Sequence, residues 1–77
     1  MPTVLRVGAY RFFFFSNEGN EPPHIHVKAE LREAKFWLQP LILAANHGFK
    51  AHELVVIQNI IREYHSNLLE AWHEHLG

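Results

Sequence analysis

The chain has 77 residues, of which 48% are hydrophobic, and 7 lysine and arginine side chains balance 8 aspartate and glutamate side chains. This length predicts one domain, residues 1–77, and the near-neutral charge argues against nucleic-acid binding driven by overall positive charge. The absence of cysteine excludes disulfides and thiolate metal sites, and the absence of any run of about 18 apolar residues predicts no membrane span, so we expect a cytoplasmic protein.

The first half of the chain predicts an antiparallel meander of four strands. Gly8-Ala9 suits a tight hairpin turn, because glycine adopts a positive φ at no steric cost. A second turn is predicted at Leu31-Arg32. The strand-like runs are Thr3–Val7, Tyr10–Ser16, His24–Ala29 and Ala34–Gln39.

A polar loop leads into the most distinctive strand. Its last residues, Pro22 and Pro23, fix φ near −65° and stiffen the entry into the strand. Alternation then places His24 and His26 on one face, with their Cα atoms about 7 Å apart.

Pairing the strands outward from their links predicts the register. If Ser16 pairs with His24, Phe14 lies opposite His26. The turn at Leu31-Arg32 then places Lys28 opposite Lys35. The predicted core face carries Phe13, Phe15, Ile25, Val27, Ala29, Ala34, Phe36 and Leu38. The predicted opposite face carries Leu5, Phe12, Phe14, His24, His26, Lys28, Lys35 and Trp37.

The second half of the chain predicts helices. Pro40 suits the first turn of a short helix that ends at Asn46-His47-Gly48. Apolar residues then recur every three or four positions from Lys50 to Leu76. Unbroken, this helix would be about 39 Å long, against an expected radius of gyration of about 11–12 Å. It must therefore break near Ser66-Asn67 or project beyond the sheet toward a partner.

Two residues of this helix carry specific expectations. Lys50 stands at the N-cap without a hydroxyl or carboxylate, while Glu53 supplies the carboxylate half of a capping box. His65 falls within the apolar stripe, so we expect a partly buried, hydrogen-bonded imidazole. The predicted fold class is α+β, with an antiparallel sheet of three or four strands packed by one long C-terminal helix and a short helix before it.

Several stretches together resemble the bacterial domain of unknown function 4160 family. They are Thr3–Arg6, the run from Ser16 to Val27 with its Glu-Pro-Pro-His core, Glu33–Leu38 and Leu68–Trp72. The resemblance covers almost the whole chain. It implies no established activity, but it implies a toxin–antitoxin-like gene context beside another small protein.

The histidine pair has three interpretations. Both rings could be structural, holding the loop by hydrogen bonds and ring contacts. His24 and His26 could instead act as a general acid and base on RNA without a metal. They could also bind a divalent metal, for which Glu18, Glu21 or a second protomer would have to supply further ligands.

The predicted sheet face around the histidines suggests a binding surface. Its binding residues would be Phe12, Phe14, Lys28, Lys35 and Trp37. Aromatic side chains between cations are typical of single-stranded nucleic-acid binders. Such an apolar face is more often buried against a partner. We therefore expect a protein-interaction component of a toxin–antitoxin-like module, either a homodimer or bound to a small protein from the same operon. RNA is the alternative partner, and no cofactor is expected unless the histidines bind a metal.

Overall fold

The computed structural model describes residues 3–15 and 19–76, which form an α+β fold of one antiparallel sheet and two helices. The five strands of this part of the chain follow chain order within the sheet. The strands are β1 (Thr3–Val7), β2 (Tyr10–Phe13), β3 (His24–Ala29), β4 (Arg32–Leu38) and β5 (Leu41–His47). The helices are α1 (Ala51–Glu63) and α2 (His65–His75). Neither described helix is long and apolar enough to cross a membrane.

One tight turn connects β1 to β2, and another connects β3 to β4. The first is the predicted one: Gly8 has φ 57°, and Val7 pairs with Tyr10. The second lies one residue earlier than predicted, because Glu30 takes the positive φ of 58°. Lys28 therefore pairs with Glu33 and not with Lys35. The observed register places opposite charges across the strands, whereas the predicted one placed two ammonium groups opposite each other.

The predicted register between β2 and β3 is wrong by one residue. Phe13, and not Phe14, lies opposite His26. A shift of one residue moves every side chain to the other face of the sheet. Phe12 and Phe14 therefore point into the core, where both are fully buried. Ser16, on which the predicted pairing depended, lies outside the described residues.

The predicted short helix after Pro40 is wrong, because Leu41–His47 forms the fifth strand. Trp37 pairs with Ile42, and the register shifts between Lys35 and Phe36. A short apolar run such as Leu41–Ala45 fits a strand or a helix equally well by periodicity. Here the hydrogen bonds available along β4 favour the strand.

The long C-terminal helix breaks in two at Tyr64. This is two residues before the predicted break, and the amide of Leu68 donates to the Tyr64 carbonyl oxygen at 3.0 Å. The radius of gyration is 11.3 Å, within the predicted range. Because neither helix has to project beyond the sheet, helix length gives no argument for a partner.

The core lies between the helices and one face of the sheet. Ile57 and Ile61 of α1 and Leu68 and Trp72 of α2 are its buried helical residues. The sheet contributes Phe12, Ile25, Val27, Ala29, Ala34, Phe36 and Leu38, joined by Phe14 and Phe49 from the adjoining segments. His65 is half-buried, and its Nε2 lies 2.6 Å from the Leu38 carbonyl oxygen, which confirms the predicted partly buried imidazole.

The start of α1 has the half-formed cap that the sequence predicts. The Lys50 side chain makes no cap hydrogen bond, whereas Glu53 Oε1 accepts the Lys50 amide at 3.1 Å. We expect Lys50→Ser to raise the free energy of unfolding by about 0.5–1 kcal/mol, because a hydroxyl accepts an orphan helix amide and an ammonium group cannot. A thermal melt measures this, and an unchanged melting temperature would contradict it.

Glu53 also links α1 to the sheet through an ion pair with Arg32. The Lys50 amide and then the Arg32 guanidinium lower the pKa of Glu53. Because the folded pKa is the lower one, the ionised carboxylate stabilises the fold above the unfolded pKa of about 4.3, and this contribution is lost as the pH falls through the folded value.

Glu53→Gln keeps an oxygen for the Lys50 amide but removes the charge. We expect the variant to be less stable than the wild-type chain at pH 7, with the difference closing as the pH falls below about 4.3. Urea unfolding across this pH range measures the effect. Glu70→Gln, at an exposed position of α2, is the control. A stability gap that persists at low pH would show that Glu53 does not act through its charge.

Candidate functional site

The two histidines lie side by side at the start of β3, on the sheet face opposite the helices. We call this surface the histidine face; it carries Arg11, Phe13, His24, His26, Lys28, Lys35, Trp37 and Ile42. The imidazole centroids of His24 and His26 are 5.2 Å apart, which confirms that both rings point to one side of the strand. His24 is 0% exposed and His26 is 8% exposed.

Aromatic rings surround each imidazole. His26 stacks on Phe13 at 5.5 Å and meets the edge of Phe15 at 4.6 Å. His24 lies 5.6 Å from Trp37 and 4.8 Å from Trp72 of α2. The pair is thus enclosed by rings from β2, β4, the loop after β2 and the second helix.

The loop before β3 is fastened to this cluster by polar contacts. His24 Nδ1 lies 2.9 Å from the Pro22 carbonyl oxygen, and since a carbonyl only accepts, the ring donates from Nδ1. Glu21 Oε1 accepts a hydrogen bond from Lys35 Nζ at 2.7 Å and lies 3.7 Å from His24 Nδ1. The Leu38 amide donates to the Pro23 carbonyl oxygen at 2.9 Å. The histidine, the lysine and β4 therefore all hold the same loop.

Gly19 places the other end of this loop against α2. A Cβ atom at Gly19 would lie 2.8 Å from the Leu76 carbonyl oxygen, closer than real Cβ contacts come. Only glycine allows the loop backbone to approach the helix end so closely.

Of the predicted binding residues, Lys28, Lys35 and Trp37 do lie on the histidine face. Phe12 and Phe14 were placed there wrongly and belong to the core. Phe13 takes their position, with the Arg11 guanidinium 4.8 Å from its ring centre. In the same way, Lys35 Nζ lies 4.5 Å from the ring centre of Trp37.

Sequence reasoning missed three ring neighbours of the histidines. Phe13 and Phe15 were assigned to the core, and Trp72 was counted only in the helical stripe. The apolar stripe does signal that Trp72 is buried. No local pattern signals that it reaches His24, since that contact joins residues 48 positions apart (72 − 24).

The metal interpretation depends on ligands beyond the two imidazoles. No group of three or more histidine, cysteine, aspartate or glutamate side chains that could hold a metal occurs within residues 3–15 and 19–76. Glu21 is engaged by Lys35, and Glu18 lies outside the described residues. A zinc ion on His24 and His26 would therefore need ligands that the described part of the chain does not bring together.

The histidine face has a covered half and an open half. Phe13, His24 and His26 are buried on the β2–β3 side. On the β4–β5 side, Ile42 is 53% exposed and Trp37 is half-buried. The β4–β5 side of the histidine face, which the loop before β3 does not cover, is thus an apolar surface exposed to solvent.

The fold and this cluster define a small α+β domain whose five-stranded sheet has helices on one face and a loop-covered histidine pair on the other. A family model described as domain of unknown function (DUF4160) matches residues 9–73. The chain therefore belongs to this family, as its motifs predicted, and the match includes both histidines and Trp37. No curated protein and no solved structure matches the chain.

Proposed function

We propose that this chain is a small protein-interaction component of a toxin–antitoxin-like module, which binds a partner protein through the open half of the histidine face. The observation that carries the proposal is the exposure of Ile42 beside Trp37 on the β4–β5 side of the histidine face. Aromatic residues with flanking apolar surface are the usual anchors of protein interfaces. The charged rim is formed by Lys28 and Glu33, which pair across β3 and β4.

The histidines support this surface from beside it, on the same face of the sheet. Both rings are enclosed, and His24 contacts Trp37 while its Nδ1 holds the loop. Such a pair fixes the position of Trp37 and of the loop that borders the open half. In this proposal the imidazoles are structural, and the partner touches Trp37 and Ile42.

RNA is a second candidate because three cations, Arg11, Lys28 and Lys35, share the histidine face. Stacking platforms need ring faces that bases can reach. Phe13 is 1% exposed, so the accessible ring surface comes from Trp37 and from Phe15 beside His26, which are both half-buried. Protein binding uses the exposed aliphatic surface of Ile42 as well, and we favour it for this reason.

Co-purification with the protein encoded beside this chain tests the proposal. We expect Trp37→Ala, which truncates the aromatic anchor, to lose the complex. The matched control is Val55→Ala, at a 56% exposed position on α1. Circular dichroism confirms that each variant is folded. A folded Trp37→Ala chain that retains the partner would contradict the proposed surface, and retention of RNA in place of a protein would favour the second candidate.

A further inference from the structure

The edge strand β5 has an unpaired outer edge in the described part of the chain, since it is last in the strand order and pairs only with β4. An exposed strand edge offers a row of backbone donors and acceptors to another strand. Natural proteins protect such edges with charges, prolines, short strands or bulges. Leu41–Ala45 contains no charged residue and no proline, and although β5 has a bulge at Ala44, the stretch Leu41–Leu43 before it is regular.

The two faces of β5 are also apolar at the same point. Ile42 is 53% exposed on the histidine face, and its neighbour Leu43 pairs with Phe36 on the helix side and is 40% exposed. A strand added to this edge would lie in the plane of the sheet and pack beside both side chains at once, so that the outer surface of the histidine face stays open. Exposed apolar side chains on the helices do not lie beside backbone groups that can pair with another strand.

The opposite edge of the sheet is protected. β1 has five residues, and its exposed Arg6 lies opposite Arg11 of β2. A strand arriving at that edge would meet the Arg6 guanidinium, with that of Arg11 one strand further in. The asymmetry argues against pairing of β1 with β5, which would be head-to-tail and would continue from copy to copy.

We infer that β5 pairs antiparallel with β5 of a second copy of this chain, forming a two-fold symmetric dimer with a continuous sheet. A neutral strand pairs with itself without placing like charges opposite each other. The two-fold arrangement uses each β5 edge once and therefore closes at two copies. The inference goes beyond the proposed function, because it assigns a second surface of the chain, the β5 edge, to a second copy of the same chain.

The bulge in β5 fixes where the two copies meet. The register moves from Leu43 opposite Phe36 to Ala45 opposite Lys35, so Ala44 is the extra residue. Bulges bend and twist a strand. The regular stretch is therefore Leu41–Leu43, and the two-fold axis passes beside Ile42, which lies opposite its own copy.

The absence of cysteine makes this register directly testable. Residues directly opposite each other on antiparallel strands have Cβ atoms about 4.5–5.5 Å apart, close enough for a disulfide after small adjustments. We expect Ile42→Cys to form a covalent dimer under mild oxidation, with a yield at least tenfold that of Leu31→Cys. Leu31 is 96% exposed at the turn between β3 and β4 and serves as the matched control. Equal yields from the two variants would overturn the register.

Light scattering measures the association itself. We expect the wild-type chain at micromolar concentration to have twice the 9.0 kDa mass of one copy. Leu43→Lys, which places an ammonium group against Leu41 of the other copy on each side of the axis, should return it to one copy, whereas Val56→Lys on α1 should leave it dimeric. A monomeric wild-type chain, or a dimer that Leu43→Lys leaves intact, would overturn the inference.

These outcomes are separate from the test of the proposed function. Trp37 lies on β4, one strand in from the edge. A monomer that binds its neighbouring protein through Trp37 would retain the proposed function and overturn only the β5 dimer. A β5 dimer that binds no other protein would retain the inferred dimer and overturn only the proposed partner surface.

Discussion

His24→Ala is expected to lower the free energy of unfolding by about 3 kcal/mol, which combines the cavity left by a buried ring with the loss of its hydrogen bond. The ring is 0% exposed and lies between Trp37 and Trp72. It also donates to the Pro22 carbonyl oxygen. The substitution therefore removes packing from two elements and a restraint on the loop together.

Urea unfolding followed by tryptophan fluorescence measures this loss, because both tryptophans of the chain contact His24. His73→Ala, at an exposed position of α2 beside Trp72, is the matched control and should change stability by less than about 0.5 kcal/mol. A His24→Ala chain as stable as the control would contradict a structural role for this ring.

The same variants decide between the structural and chemical interpretations of the pair. If the histidines are acid and base, single-stranded RNA should be cut without metal, with a bell-shaped pH profile that either alanine abolishes. If they bind a divalent metal, calorimetry with zinc should show saturable binding that His24→Ala/His26→Ala loses. Under the structural interpretation, neither assay responds and only stability changes. A stable double variant that has lost an activity would refute it.

A register error of an even number of residues keeps each side chain on its predicted face, and an error of an odd number does not; this decides which face predictions were right. Between β3 and β4 the predicted pairing was shifted by two residues, so Lys35 and Trp37 still fell on the histidine face. Between β2 and β3 the shift was one residue, so Phe12 and Phe14 exchanged faces with Phe13. Side chains alternate with a period of two, and an even error is therefore harmless to face assignment.

The aromatic run of β2 gave no information that could have corrected this error. Four consecutive phenylalanines, Phe12–Phe15, present the same side chain to both faces. Register then depends on where the strand ends, and β2 ends at Phe13 although the aromatic run continues. In β3 and β4, by contrast, the alternation of apolar and charged residues identified the core face directly.

The second half of the chain shows the same limit. Amphipathic periodicity identified the helical region, and the expected domain size predicted either a break near Ser66-Asn67 or projection beyond the sheet; the helix breaks at Tyr64. The stretch after Pro40 is short and apolar, and a proline opens a helix or follows a turn equally well. Its identity as β5 depends on the edge of β4, a partner that lies outside the local sequence.

For the site, the sequence predicted the shared face of the two histidines but not their burial. That burial comes from Phe15 in the loop and from Trp72, which α2 brings to the end of the sheet. Both contacts depend on the path of the chain between elements. Local spacing could therefore place the imidazoles correctly and still leave their chemistry open.

Phe14→Ala tests the corrected register and is expected to have the largest effect of any single substitution considered for this chain. Phe14 lies beyond the end of β2, yet it is 0% exposed and meets the edge of Trp72 at 5.4 Å. Truncating a buried phenylalanine lowers the free energy of unfolding by about 3–5 kcal/mol. A domain of this length has only about 4–12 kcal/mol in total, at about 0.05–0.15 kcal/mol per residue.

Phe14→Ala should therefore lose a large fraction of the stability of the fold, seen as a strong shift of the urea midpoint or as an unfolded chain at room temperature. Leu31→Ala, at a 96% exposed position, should shift the midpoint by less than about 0.5 kcal/mol. Had Phe14 lain on the open part of the histidine face, its truncation would have left the fold stable and removed partner binding. A Phe14→Ala chain that melts like the Leu31→Ala control would restore that earlier assignment and would place β2 one residue out of its present register.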